Sequence, residues 1–137
     1  MTASNVFIDT CCFIYALEHQ DEIGTSARQL ISNYKENGYS LWTSSITLME
    51  YTSKNHEQSK NIIKQFVKDN QITVIPITGV IAYAAGKLRE NNKLHAMDSL
   101  QLASAHTIDS TVLFLTNDIR LKQFENDSLQ IVIIGEH

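Results

Sequence analysis

Four acidic residues, Asp9, Glu50, Asp98 and Asp118, sit far apart in a chain of 137 residues, at places where an alternating α/β chain returns to one edge. Carboxylates brought together in this way repel one another and raise each other's pKa. A divalent cation resolves the conflict. Mg2+ and Mn2+ take oxygen ligands and keep waters and substrate phosphate as co-ligands. Such an ion activates a water, binds a phosphate and stabilises a leaving oxygen, which is the chemistry of phosphodiester cleavage.

Each acid also has a plainer reading. An Asp that follows a strand is commonly a turn residue or a helix cap, which covers Asp9 and Asp118. Asp98, in the first turns of a helix, complements the helix dipole. Glu50 is the odd one. It lies in Ile46-Thr47-Leu48-Met49-Glu50-Tyr51, where a buried and unpaired carboxylate is costly. It calls for a partner, either Arg/Lys or a metal.

The elements that must position these acids follow from periodicity. Residues 6–8 predict a first buried strand ending at Asp9. Residues 10–19 predict a helix with Phe13, Ile14 and Leu17 on one face. Residues 21–37 predict a clearer helix, with Ile23, Ala27, Leu30, Ile31 and Tyr34 at helical spacing and Gly38 as its stop. A short strand is expected at 39–43, then a helix capped by Ser44 or Ser45 that carries Glu50. Residues 57–69 predict a polar helix with Ile62, Ile63, Phe66 and Val67 as its stripe. A third strand, 72–75, is stopped by Pro76. Thr78 caps a helix to about residue 91, with Val80, Ile81, Ala84, Ala85 and Leu88 inward and Gly86 marking close helix packing. A helix at 96–106, a strand at 111–115, a short helix at 119–124 and a last strand at 130–134 complete the chain. Strands alternating with helices give an α/β fold: a three-layer α/β/α sandwich around a parallel sheet of about five strands, with residues 1–137 as one domain. In such sheets the ligand site lies beyond the carboxyl ends of the strands.

Composition narrows the class. Hydrophobic residues are 43% of the chain and charged residues 19%, which excludes a disordered protein. One proline and five glycines leave little material for a linker. The adjacent pair Cys11 and Cys12 lacks the spacing of a zinc site. Free thiols, no signal peptide and no membrane-length apolar run lead to a cytoplasmic expectation. The net charge of −4 argues against strong non-specific nucleic-acid binding, which needs a basic surface. It leaves a nuclease open, because bound metal offsets the charge of its own carboxylates.

The sequence resembles the PIN-domain nucleases, and among them the small VapC-type toxins of bacterial toxin–antitoxin pairs. The resemblance rests on Phe7-Ile8-Asp9-Thr10 with Ile14-Tyr15, on Ser44 to Tyr51 around Glu50, on Met97 to Ala105 with Asp98 in it, and on Leu115-Thr116-Asn117-Asp118 with Leu121 and Phe124. It implies a Mg2+- or Mn2+-dependent endoribonuclease leaving 5′-phosphate and 3′-hydroxyl ends, a homodimer, and a cognate antitoxin that often presents a basic residue to the acidic site. Carried over residue by residue, it implies Asp9, Glu50, Asp98 and Asp118 as catalytic and metal-holding acids, supported by Thr10 and Thr116. Asp9 and Asp98 would be the main ligands; Glu50 and Asp118 would act through water or a second ion. Cys11 stands where many relatives have Asn, at a position that is not a required ligand.

Lys87, Arg89 and Lys93 form a basic group before Asp98 that would contact RNA phosphates or else be a solvated helix face. Lys60, Lys64 and Lys68 read as a solvent face. His95 reads as a loop or capping residue with a role open at a substrate phosphate. Tyr15, Trp42 and Tyr51 suit base stacking or packing. Three rivals remain: a PIN nuclease outside any toxin–antitoxin pair, a PIN-fold RNA- or protein-binding module without catalysis, and a receiver or phosphatase domain. The last needs a second acid beside Asp9 and a Lys after a late strand, and the sequence has neither.

Overall fold

The first strand, β1 (Asn5–Ile8), is buried on both faces, which is why Val6, Phe7 and Ile8 form an apolar run rather than an alternation. The computed structural model describes residues 4–53 and 56–135. After β1 come α1 (Thr10–Glu18), α2 (Glu22–Glu36), β2 (Ser40–Ser44), α3 (Ser45–Thr52), α4 (His56–Asp69) and β3 (Thr73–Ile75). They are followed by α5 (Gly79–Asn91), α6 (Ala96–Ala105), β4 (Val112–Thr116), a 3-10 helix (Ile119–Phe124) and β5 (Leu129–Ile133). The sheet runs β3-β2-β1-β4-β5, and every pairing between these strands is parallel.

Alternate residues of the strands feed two cores, one on each face. Val6, Ile8, Leu41, Leu113 and Leu115 pack against Phe13, Ala27, Ile31 and Ile63 from the α1–α4 layer. Phe7, Val112, Phe114, Leu129 and Ile131 pack against Ile81, Ala85, Leu102 and Leu121 from α5, α6 and the 3-10 helix. Phe7 and Phe114, neighbours across the β1–β4 ladder, stack with ring centroids 5.2 Å apart. The three-layer arrangement and the five parallel strands are those expected from the sequence. Element ends shift by one or two residues from the expected ones, as helix and strand termini commonly do. Among the described residues, no helix is long and apolar enough to cross a membrane.

Several expected inward residues face out. In α5, Ile81 and Ala85 are buried and Leu88 half-buried. That stripe meets α6; around the helix, position 84 lies about 60° and position 80 about 100° from Ile81. Val80 is 77% exposed and Tyr83 84%. Ile14 and Ile62 are likewise exposed, while Cys12 and Ile63 take the buried places beside them. Gly86 does not mark close packing: it is exposed, and a Cβ added there meets nothing within 4 Å. The close approach occurs at Gly24 instead, where an added Cβ would run into the His19 carbonyl between α1 and α2. Gly86→Ala is therefore expected to stabilise the protein by about 0.5–1 kcal/mol, by removing backbone freedom from the unfolded chain. Denaturant unfolding checks this, and a lower midpoint in the variant would overturn it.

Candidate active site

Connections leave β1 in opposite directions, to β2 on one side and, after β3, to β4 on the other. A crevice opens at such a switch point, outside the carboxyl ends of the strands. Asp9 and Thr116 occupy it. The Asp9 amide donates to the Leu115 carbonyl at 3.0 Å, continuing the β1–β4 ladder by one bond. Asp9 then takes an extended conformation and caps α1, with its Oδ1 accepting from the Thr10 amide at 2.9 Å.

Every partner of the Asp9 carboxylate is neutral. Oδ2 accepts from the Thr116 hydroxyl at 2.8 Å, and Oδ1 also accepts from the Gln101 amide at 3.3 Å. Burial outweighs these donors and raises the Asp9 pKa to about 6, with the Asp98 charge adding to the rise. Cys11 Sγ lies 4.0 Å from the Thr116 hydroxyl, at the edge of this arrangement.

Gln101 ties three elements together from beneath. Its carbonyl accepts from the Ser44 hydroxyl, and Ser44 in turn caps α3 by accepting from the Ile46 amide at 3.1 Å. Its amide group reaches Thr47 at 2.9 Å, Thr10 at 3.3 Å and Asp9. Thr10 passes the connection on, donating its hydroxyl to Glu50 Oε1 at 2.7 Å. Glu50 is half-buried rather than buried, and among the described residues neither Arg nor Lys pairs with it.

Asp98 projects from the first turn of α6, half-buried, with its pKa raised by burial and by Asp118. Asp118 differs from the other three acids. It caps the 3-10 helix, and Arg120 holds its carboxyl below the ordinary range. Arg120 Nε donates to Oδ1 at 2.9 Å, Nη2 donates to Oδ2 at 2.7 Å, and the Arg120 backbone amide donates to Oδ1 at 3.0 Å. A cavity of about 140 Å3 lies against this pair, lined among others by Lys93, His95, Asp98, Asp118 and Arg120. A larger groove of about 580 Å3, lined by Leu48, Val67, Val74 and Lys64 among others, touches none of the four acids.

Asp9 and Asp118 each cap a helix, as their plainer readings expect. Asp9, Asp98 and Asp118 form a chain in which each neighbouring pair is close enough for charge to shift a pKa. Among the described residues no three His, Cys, Asp or Glu side chains converge into a ready-made metal cage. That donor set suits an ion such as Mg2+, which is commonly held by one or two carboxylates with waters and substrate phosphates completing its shell.

The expected basic group is divided. Lys93 lines the acidic cavity. Arg89 donates to the Leu94 carbonyl at 3.0 Å and braces the turn before α6. Lys87 borders a separate groove with Leu88 and His106. His95 stands at the N-cap position of α6 without capping it. Trp42 donates to Asn5 at 2.9 Å, and Tyr51 donates to Glu18 at 2.7 Å. Tyr15 accepts from Asn117 at 2.7 Å, closer to the acids. Gln101 and Arg120 went unremarked as site residues in the sequence. Gln101 left a signal, a polar residue between Leu100 and Leu102 on an apolar helix; Arg120 left only its place two residues after Asp118.

Residues 6–126 match the family model of the PIN domain. Among solved structures, the chain is similar to VapBC2 of Rickettsia felis bound to a promoter DNA fragment, at 19% identity and a TM-score of 0.70 over 93% of this chain and 98% of that one. It is similar to a toxin–antitoxin complex of Klebsiella pneumoniae at 20% identity and a TM-score of 0.69, over 96% and 99% of the two chains. VapBC-1 of nontypeable Haemophilus influenzae gives 19% identity and a TM-score of 0.70, again over 96% and 99%. At these identities the likeness is one of fold. No curated protein matches the sequence.

Proposed function

The chain belongs to the PIN domain family, and from that premise we propose that it is a divalent-metal-dependent endoribonuclease, the toxin of a type II toxin–antitoxin pair. PIN domains are generally nucleases that use divalent metal ions. The observation that carries the reading is the chain of acids at the switch point: a buried Asp9 held only by neutral donors, within charge range of Asp98, which is itself within range of Asp118.

Mg2+ or Mn2+ bound here would polarise a phosphate and lower the pKa of a water. Asp9 and Asp98 are its main direct ligands in this reading. Glu50 and Asp118 hold water or a second ion. Thr116 and Gln101 keep the two Asp9 oxygens in place, and Thr10 orients Glu50. Lys93, beside the acids, takes an RNA phosphate. The reading includes a homodimer and a cognate antitoxin. The VapBC complexes that share the fold support an antitoxin partner, and an acidic crevice of this kind accepts a basic side chain by charge-assisted hydrogen bonds.

The test is cleavage of an end-labelled RNA pool by purified protein with Mn2+, Mg2+ or EDTA, beside the Asp98→Asn variant. The expected result is cutting with either ion, none in EDTA, at least about 100-fold less in the variant, and products with 5′-phosphate ends. Cutting that persists in EDTA, or equal cutting by the variant, would remove the metal site from the mechanism.

A further inference from the structure

Arg120 is the one cation among the described residues that forms an ion pair with any of the four acids. Its grip is complete for that carboxylate: the guanidinium fork meets one oxygen with Nε and the other with Nη2, and its own backbone amide adds a third bond. Asp118 so held has little lone-pair capacity left for a metal ion. Yet the grip is easily released. The Arg120 side chain is 70% exposed, and solvent-exposed ion pairs contribute little to stability.

The surroundings show where a released guanidinium would go. Lys93 and His95 line the same 140 Å3 cavity as Asp98 and Asp118, so a second cation stands beside the acidic pair. A guanidinium is always charged, and its planar fork fits a phosphate as well as a carboxylate. Resting on the nuclease reading above, we propose that Arg120 is a resident counterion that exchanges partners. It covers Asp118 in the free protein, yields that carboxylate when divalent metal binds, and then holds a phosphate of the RNA backbone beside Lys93. Arg120 thereby sets how readily the free protein takes up metal, and links full loading to the presence of substrate.

The two halves predict opposite effects of one substitution. In Arg120→Ala, the Mn2+ concentration that half-saturates the rise in melting temperature should fall by about 2- to 5-fold, because Asp118 is freed. At saturating Mn2+, KM for RNA should rise by about 10-fold, because a phosphate contact is lost. Arg120→Lys, which keeps the charge but not the fork, should lie between wild type and Ala on both measures. Comparing half-saturation, rather than melting temperature itself, removes any change in baseline stability. Unchanged or weaker Mn2+ binding in Arg120→Ala overturns the counterion role, and an unchanged KM overturns the transfer to phosphate. If the melting temperatures of wild type and Asp98→Asn alike ignore Mn2+, the nuclease reading itself is overturned and this proposal with it.

Discussion

Asp9→Asn is expected to lower RNA cleavage by about 10³-fold or more, because on the proposed reading it removes a direct metal ligand, and at the same time to make the protein more stable above neutral pH. The second effect follows from burial. The folded-state pKa of Asp9, about 6, lies above its ordinary 3.8. A group raised in this way contributes stability that is fully present below about 3.8 and lost as pH rises through about 6. Asparagine is neutral in both states and abolishes that slope. A shift of about two units corresponds to roughly 3 kcal/mol at full ionisation. Asn also loses an acceptor for Thr116, so the net gain above neutral pH should be about 1–2 kcal/mol. Asp98 slopes the same way as Asp9, whereas Asp118, with its lowered pKa, contributes stability present above the ordinary carboxylate pKa and lost in acid. The quantity to measure is therefore the difference between wild type and variant, by unfolding across the acid-to-neutral range. A variant that cuts at the wild-type rate, or one that is less stable than wild type above neutral pH, contradicts the assignment.

Gln101→Leu should damage fold and activity together. The substitution keeps the volume roughly constant but strips donors and an acceptor from Ser44, Thr47, Thr10 and Asp9, all of them buried. Buried polar groups left short of partners cost about 1–3 kcal/mol each, and with some rearrangement a loss of about 2–4 kcal/mol is expected. Residues that hold a ligand in place are worth about 10- to 100-fold in metal affinity or activity, and Gln101 holds both Asp9 and, through Thr10, Glu50. Gln101→Glu separates the two effects. It retains the shape but sets a second carboxylate against Asp9, raising the Asp9 pKa further, so half-saturation by Mn2+ should move to higher pH. If the Leu variant unfolds at the wild-type denaturant concentration and binds Mn2+ as tightly, the amide is not what positions the acids.

What the sequence revealed, and what it concealed, follows from burial. The strands were legible because a parallel sheet covered on both faces demands unbroken apolar runs such as Val112 to Leu115. The places of Asp9 and Asp118 were legible because the topology fixes where strands end. Their partners were not. Gln101 acts through hydrogen bonds to residues more than fifty positions away, and no spacing encodes them. The same limit hid the α1 hydroxyl from which Glu50 accepts. Arg120 and Arg89 are alike in type and exposure, yet one grips an acid and the other a backbone carbonyl. Helix α5 misled because its apolar residues outnumber those its single neighbouring helix can cover. Gly86 shows that a glycine within a helix need not answer to packing at all.

The ladder bond from the Asp9 amide to Leu115, and the hydroxyl that Thr116 gives to the same residue, join the two ends of the chain. A ribosome makes Asp9 107 residues before Thr116, and at about 5–20 residues per second the interval is about 5–20 seconds. Until β4 is made, Asp9 lacks both the strand whose Leu115 carbonyl its amide meets and the hydroxyl that holds its Oδ2. On the proposed reading, a chain translated only as far as α6 has neither the Thr116 prop nor Asp118, and so lacks the complete acid set. That interval is then time in which a neutralising partner can already be at hand.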